Sequence, residues 1–164
     1  MSVHTLPPGA ERSLTPGELV LAHSVFGDAI DLAPVRIRRW RWFPFQPRGT
    51  VMAPMGHIHF HPAGPHYRDD FSSAPLGLQS LFIHELVHVW QSQQRGRFYL
   101  PLMRHPLCRY EYQFNPARRF SAYGIEQQAE LVAHAFLAAQ GAPHPAAPPL
   151  ASLQSVLPFP ISLA

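Results

Sequence analysis

The segment His84-Glu85-Leu86-Val87-His88 contains the residues of this chain with the clearest chemical potential. On an α-helix, side chains four residues apart lie on one face, so the two histidines can direct their imidazoles to one point. Glu85 follows the first histidine and can reach a water molecule bound at that point. This H-E-x-x-H spacing is typical of zinc hydrolases, in which the glutamate acts as general base. We therefore predict that His84 and His88 bind zinc and that Glu85 activates water.

A catalytic zinc site usually has three protein ligands and one open position for water, so a third ligand is required. The metzincin extension would need a glycine and a histidine where this chain has Gln91 and Gln94, which excludes that class. Glu126 and Glu130 lie four residues apart on a later, otherwise apolar helix face. Two carboxylates facing a core are costly, and a cation between them and the histidines would remove that cost. Either glutamate is a candidate third ligand, and an exposed, charged helix face is the alternative.

The elements that must position these residues are indicated by capping residues and hydrophobic periodicity. We predict helices between Thr15 and Gly27, from about Pro75 to Gln94, and from Ser121 to about Gln140. Predicted strands are Val35–Arg38, Thr50–Ala53, Gly56–His61 and Cys108–Phe114. The Gly56–His61 strand would carry three histidines on one face, which we interpret as a solvated face or a wall of the substrate cleft. This order of elements predicts an α+β fold with a small antiparallel or mixed sheet.

Length and composition predict one globular domain with two flanking segments. The chain has 164 residues, of which 46% are apolar and 14% charged, so it can bury a core. We interpret residues 1–14 as a flexible lead and residues 15–141 as the domain. Residues 142–164 are interpreted as a tether rich in proline and alanine, followed by an apolar segment that docks as a short helix. The single cysteine, Cys108, excludes an internal disulfide.

Composition also bears on partners and location. All 13 basic residues are arginines, and five of them lie between Arg36 and Arg48 beside two tryptophans. A formal charge of only +3 argues against a dedicated nucleic-acid-binding protein. No run of 18 apolar residues exists, so we predict no membrane span. The first 18 residues show no signal-peptide pattern, so we expect cytoplasmic residence or export by a secretion system that needs no signal peptide.

Three sequence motifs together resemble a known family. They are Ala53-Pro54-Met55-Gly56-His57-Ile58-His59-Phe60, His84-Glu85-Leu86-Val87-His88-Val89-Trp90-Gln91 and Glu126-Gln127-Gln128-Ala129-Glu130. Over about residues 15–140 the chain resembles the zinc metallopeptidase domains found beside contractile injection systems and polymorphic toxins, the eCIS core domain type. In particular, it resembles their small bacterial relatives, the Vgr-related proteins.

The resemblance implies a zincin-like fold with a glutamate as the third zinc ligand. It implies that Glu126 binds the single Zn²⁺ and that Glu130 orients His84 from outside the metal, although Glu130 as the ligand stays open. It implies a metallopeptidase that acts on a peptide or protein substrate, with Glu85 as general base. Tyr123, one turn before Glu126, is a candidate donor to the oxyanion.

Two other functions remain open at this stage. The first is a catalytically silent adaptor or assembly component that binds a secretion-machinery protein. A structural metal site would then be closed by four protein ligands, whereas a catalytic site keeps an open position. A nucleic-acid module formed by the arginine- and tryptophan-rich segment would show steeply salt-dependent binding.

Overall fold

The computed structural model describes residues 5–104 and 107–162, which form an α+β fold. The strands are β1 (Glu11–Arg12), β2 (Ile37–Arg38), β3 (Val51–Met52) and β4 (Ile58–Phe60). The helices are α1 (Pro16–Phe26), α2 (Leu76–Arg95), α3 (Tyr99–Met103), α4 (Ile125–Ala139) and α5 (Leu150–Gln154). The sheet order is β1-β2-β4-β3, in which only β2 and β4 are parallel. The predicted α+β class with a small mixed sheet is confirmed.

Helix α1 begins with the capping box that its sequence predicts. The hydroxyl of Thr15 accepts the Glu18 amide at 3.1 Å, and the Glu18 carboxylate accepts the Thr15 amide at 2.9 Å. That carboxylate is fully buried and also accepts two bonds of 2.8 Å from Arg12 and one of 2.9 Å from the Phe71 amide. Glu18 therefore joins α1 to β1 and to the turn before α2. Gly27, whose φ of 54° suits glycine, ends the helix.

Helices α2 and α4 pack against each other and form most of the core around the predicted site. Phe82, Ile83, Leu86 and Val87 of α2 have no exposed surface, because α2 is covered on nearly all sides. Alanines on α4 permit close approach of the two helices. The polar residues of the H-E-x-x-H segment are therefore held on a rigid, buried helix rather than on a loop.

Two predicted elements differ in the structure. The predicted strand Cys108–Phe114 is wrong, because these residues form no regular secondary structure. Tyr112 of this segment instead packs on α4 and contacts His134, so its aromatic residues alternate without pairing to the sheet. The last long helix begins at Ile125 and not at Ser121, which lies in a short 3₁₀ turn.

The segment interpreted as a flexible lead contributes β1, and Leu14 is buried in the core. Residues 1–4 of that segment, like residues 163 and 164, lie outside the described residues. After α4, the chain returns across the fold: α5 packs on α4, and Phe159 and Ile161 are buried. Phe159 lies 4.9 Å from Phe26 and 5.0 Å from Trp90 between ring centroids. The predicted short helix is present, and the residues after it complete the core.

None of the described helices combines the length and the hydropathy needed to cross a membrane.

Candidate metal centre

The structure brings His84, His88 and Glu126 together between α2 and α4. One ligand atom from each lies within 4.8 Å of the others. The Oε2 atom of Glu126 is 3.2 Å from Nε2 of His84 and 3.0 Å from Nε2 of His88. Two ligands of a tetrahedral zinc ion, with bonds of 2.0–2.1 Å, lie about 3.3 Å apart. The donor types and the distances from Glu126 to the two histidines therefore fit one zinc ion.

Each histidine uses its second ring nitrogen to contact an outer partner. Nδ1 of His84 lies 2.9 Å from the Glu130 carboxylate. Nδ1 of His88 lies 2.9 Å from Oε1 of Gln91. Metal-binding histidines almost always donate their other N–H in this way, which fixes the tautomer and the ring orientation. Both imidazoles are thus preset with Nε2 toward Glu126.

The outer partners are themselves held in place. Gln91 donates to the backbone carbonyl of Ile125 and to the side chain of Gln128, each at 3.0 Å. The second oxygen of Glu130 lies 3.3 Å from His134. Gln91 and Glu130 therefore fasten the two histidines of α2 to α4.

The charges of the cluster favour a cation. Burial lowers the pKa of His84, but contacts with Glu126 and Glu130 outweigh it and raise the pKa to about 10. Burial raises the pKa of Glu126, but its contacts with both histidines hold it well below its usual range. In the cluster as described, the carboxylates thus draw a proton onto the His84 imidazole. The same negative charge would attract a metal ion that replaces this proton.

Glu85 is buried beside this cluster, with 4% of its surface exposed. Its Oε2 atom has no hydrogen-bond partner. Burial raises the pKa of this carboxyl, as suits a group that accepts and returns a proton. A cleft of about 470 Å³ opens beside Glu85 and His84 and is also lined by Val51, Arg104 and Tyr110.

The structure does not bring the hydroxyl of Tyr123 to this cluster. That hydroxyl accepts the Asn115 amide at 3.0 Å and lies 3.3 Å from the Asn115 carbonyl. The ring is buried and packs on Tyr112. In this arrangement Tyr123 fixes the segment before α4.

The histidines in and beside β4 take no part in the cluster. His59 is buried rather than solvated, because Trp40 covers it edge-on at 5.9 Å between ring centroids. His57 and His61, which flank β4, are partly exposed.

No protein-family model matches the chain. It is 41% identical over 141 residues to the type VI secretion system spike protein VgrG2b of Pseudomonas aeruginosa, an alignment that covers 79% of this chain and 13% of the spike protein. The solved effector domain of Pseudomonas aeruginosa VgrG2b has a TM-score of 0.71 and 35% identity, over 94% of this chain and 83% of that domain. The chain belongs to the family of the VgrG2b effector domain. This relationship confirms the predicted similarity to Vgr-related proteins.

Three residues that contact the His84, His88 and Glu126 cluster were not predicted from the sequence: Gln91, Arg104 and Tyr110. Gln91 had a local signal, because it lies three residues after His88 and so on the same helix face. Arg104 contacts Glu126, and Tyr110 stacks on His84. No periodic pattern marks these two, because they lie at the end of α3 and in the irregular segment after it.

Proposed function

We propose that this chain is a zinc-dependent peptidase with a zincin-like active site. His84, His88 and Glu126 would hold one zinc ion, and Glu130 and Gln91 would orient the two histidines. The observation that carries the proposal is the convergence of three donor atoms within 4.8 Å beside the buried Oε2 atom of Glu85, which has no hydrogen-bond partner. A purely structural zinc site would need a fourth protein ligand, and no fourth histidine, cysteine, aspartate or glutamate joins this cluster among the described residues.

A zinc ion in this site would supply Lewis acidity, which lowers the pKa of a bound water toward 7 and polarises a peptide carbonyl. Glu85 would take a proton from the attacking water and pass it to the leaving amine. Because Glu85 is buried, its raised pKa suits both halves of this transfer.

The sheet suggests how an extended substrate would lie. Strand β4 is enclosed between β2 and β3, so it offers no free edge to an extended peptide. The edge strands are β1 and β3, and β3 lies at the cleft, because Thr50 and Val51 line it beside His84. We therefore assign substrate pairing to the β3 edge, next to the candidate metal centre.

The first test combines metal content with hydrolysis. We expect about one zinc per chain in the wild type, its loss in Glu126→Ala, and its retention in Glu85→Gln. Glu85→Gln should abolish cleavage of a mixed peptide library, because an amide cannot accept the proton. Glu111→Gln is the matched control, since Glu111 is exposed and outside the cluster.

Three results would contradict parts of this proposal. Wild-type protein without zinc, purified in the absence of chelators, would remove the metal centre. Cleavage retained by Glu85→Gln would remove the general base. Zinc retained by Glu126→Ala would move the third ligand to Glu130 or another residue.

A second proposed function rests on the relatives. VgrG2b is a type VI secretion system spike protein, and the solved relative is its effector domain. We propose that this chain is likewise delivered by, or assembled with, such a secretion machine. A tagged chain should appear in the medium of its own bacterium only when that machine is intact. This association requires no catalysis, so the Glu85→Gln variant should be secreted like the wild type.

A further inference from the structure

The carboxylate of Glu126 presents its two oxygens to different neighbours. Oε2 faces the two Nε2 atoms of His84 and His88, at 3.2 and 3.0 Å. Oε1 lies 3.3 Å from Nε of Arg104. This is an ion-pair distance, but the N–H is not aligned as in a hydrogen bond, so Oε1 has an electrostatic partner only.

The position of Arg104 is set by the fold. Its backbone amide donates to the Leu100 carbonyl at 2.8 Å and so ends α3. Leu100 is 3% exposed, which anchors this short helix in the core. The Arg104 side chain is itself three-quarters buried. A buried guanidinium needs a counter-charge, and the structure provides Glu126.

Tyr110 links this arginine to a second member of the cluster. Nη2 of Arg104 donates to the Tyr110 hydroxyl at 3.3 Å. The Tyr110 ring stacks on His84, with centroids 6.1 Å apart and planes 20° from parallel. The end of α3 and the segment after it therefore brace both Glu126 and His84 from the cleft side.

We propose that Arg104 is a positioning residue that makes Glu126 a one-oxygen metal ligand. The guanidinium holds Oε1 by charge, so only Oε2 is left for an ion between the histidines. A carboxylate without this partner can bind an ion through both oxygens and fill the position that water needs. This inference rests on the metal centre of the proposed function and assigns to Arg104 no contact with substrate.

Cobalt(II) tests the proposal without any substrate. Four-coordinate cobalt absorbs visible light more strongly than five- or six-coordinate cobalt, so the spectrum reports coordination number. We expect the intense four-coordinate bands in the wild type and clearly weaker bands in Arg104→Gln. Arg104→Lys, which keeps the positive charge, should restore most of the intensity. Arg97→Gln removes an exposed arginine that precedes α3 and should leave the spectrum unchanged.

Activity provides a second readout in the same variants. We expect Arg104→Gln to lower kcat roughly 10- to 100-fold while KM stays within about twofold of the wild type. Thermal melts followed by circular dichroism show whether each variant folds. If Arg104→Gln does not fold, the spectrum of Arg104→Lys is the test, and weakened bands in that folded variant overturn the role of charge.

The outcomes separate this inference from the proposed function. Wild-type protein that shows no cobalt bands overturns both. Wild-type bands that are unchanged in folded Arg104→Gln overturn the role of Arg104 and leave the metal centre intact. Bands equally weakened in Arg104→Gln and Arg104→Lys also overturn it, because charge is then not the cause.

Discussion

The two imidazoles of the candidate metal centre are oriented by unlike partners, a carboxylate for His84 and an amide for His88. A carboxylate increases the basicity of the imidazole that it contacts, whereas a neutral amide mainly fixes orientation. Gln91 is 2% exposed and bridges α2 to the first turn of α4. We therefore expect its effect on a bound metal ion to be geometric.

Gln91→Ala should weaken zinc binding roughly 10- to 100-fold, because His88 loses the partner that fixes its tautomer and orientation. Competition with a chromophoric chelator measures the dissociation constant. Gln94→Ala is the control, since Gln94 is exposed one turn further along the helix. Equal affinities in the two variants would show that His88 is held by packing alone.

The burial of His59 predicts how the stability of the fold depends on pH. Its burial, with Arg38 nearby, lowers its pKa from 6.5 to about 4. Between pH 6.5 and about pH 4, His59 binds a proton in the unfolded chain but not in the folded chain. The free energy of unfolding must therefore fall as the pH falls. The contribution of His59 is full above pH 6.5, and its slope is at most about 1.4 kcal/mol per pH unit.

Urea denaturation between pH 4 and 7.5 measures this slope. His59→Gln should reduce the loss of stability on acidification relative to the wild type. His23→Gln is the control, because the His23 side chain is 65% exposed. The same slope in the wild type and in His59→Gln would show that the buried imidazole is not responsible.

Among individual residues, those of the candidate site that lie on the regular helices α2 and α4 were predictable from the sequence. Helical spacing, a local property, places His84 and His88 with Glu85 on one helix and pairs Glu126 with Glu130 on another, while their separate roles came from the family resemblance. Arg104 and Tyr110 were not predictable, since their contacts depend on how an irregular segment folds over α4.

Among the elements, α1 shows how a local signal becomes a tertiary anchor. The Thr15 capping box was readable from four residues. The same Glu18 carboxylate also pairs with Arg12 of β1, and β1 was missed because two residues give no periodic pattern. One buried carboxylate thus holds three parts of the chain.

Glu18→Gln should destabilise the protein by about 3–5 kcal/mol, because it leaves the Arg12 guanidinium largely buried without a counter-charge. Chemical denaturation gives the change in the free energy of unfolding. Glu11→Gln breaks a comparable arginine pair, Arg38–Glu11, in which the glutamate is 42% exposed. That change should cost less than about 1 kcal/mol. Similar losses in both variants would refute the role assigned to burial.

Long helices were predicted better than short elements. The periodic pattern of α2 spans 20 residues and fixes both its existence and its buried face. The Cys108–Phe114 alternation was misleading, because alternation predicts a strand only where another strand is free to pair with it.

In the whole molecule, the segment after α5 fills the end of the core next to α1. The ring centroid of Phe159 lies 6.0 Å from that of Phe120 and closer still to those of Phe26 and Trp90. The amides of Ile161 and Ser162 donate to carbonyls of α1 at 3.3 and 2.7 Å. Composition alone predicted a docking segment and could not indicate that its binding site is the core of the same domain.

Phe159→Ala should cost about 3–5 kcal/mol, the usual loss for a buried phenylalanine. Phe45→Ala is the matched control, because Phe45 is 87% exposed, and it should change stability by less than about 0.5 kcal/mol. Thermal and urea unfolding measure both. A Phe159→Ala protein as stable as Phe45→Ala would mean that this segment is dispensable for the fold.

The contact between α1 and the segment around Phe159 also sets an order of events during synthesis. Phe26 leaves the ribosome more than a hundred residues before Phe159. At 5–20 residues per second, its apolar surface waits roughly 7–27 s for its partner. Helices α2 and α4 are complete by residue 139, so the candidate metal ligands can meet while one end of the core still lacks Phe159 and is open to water.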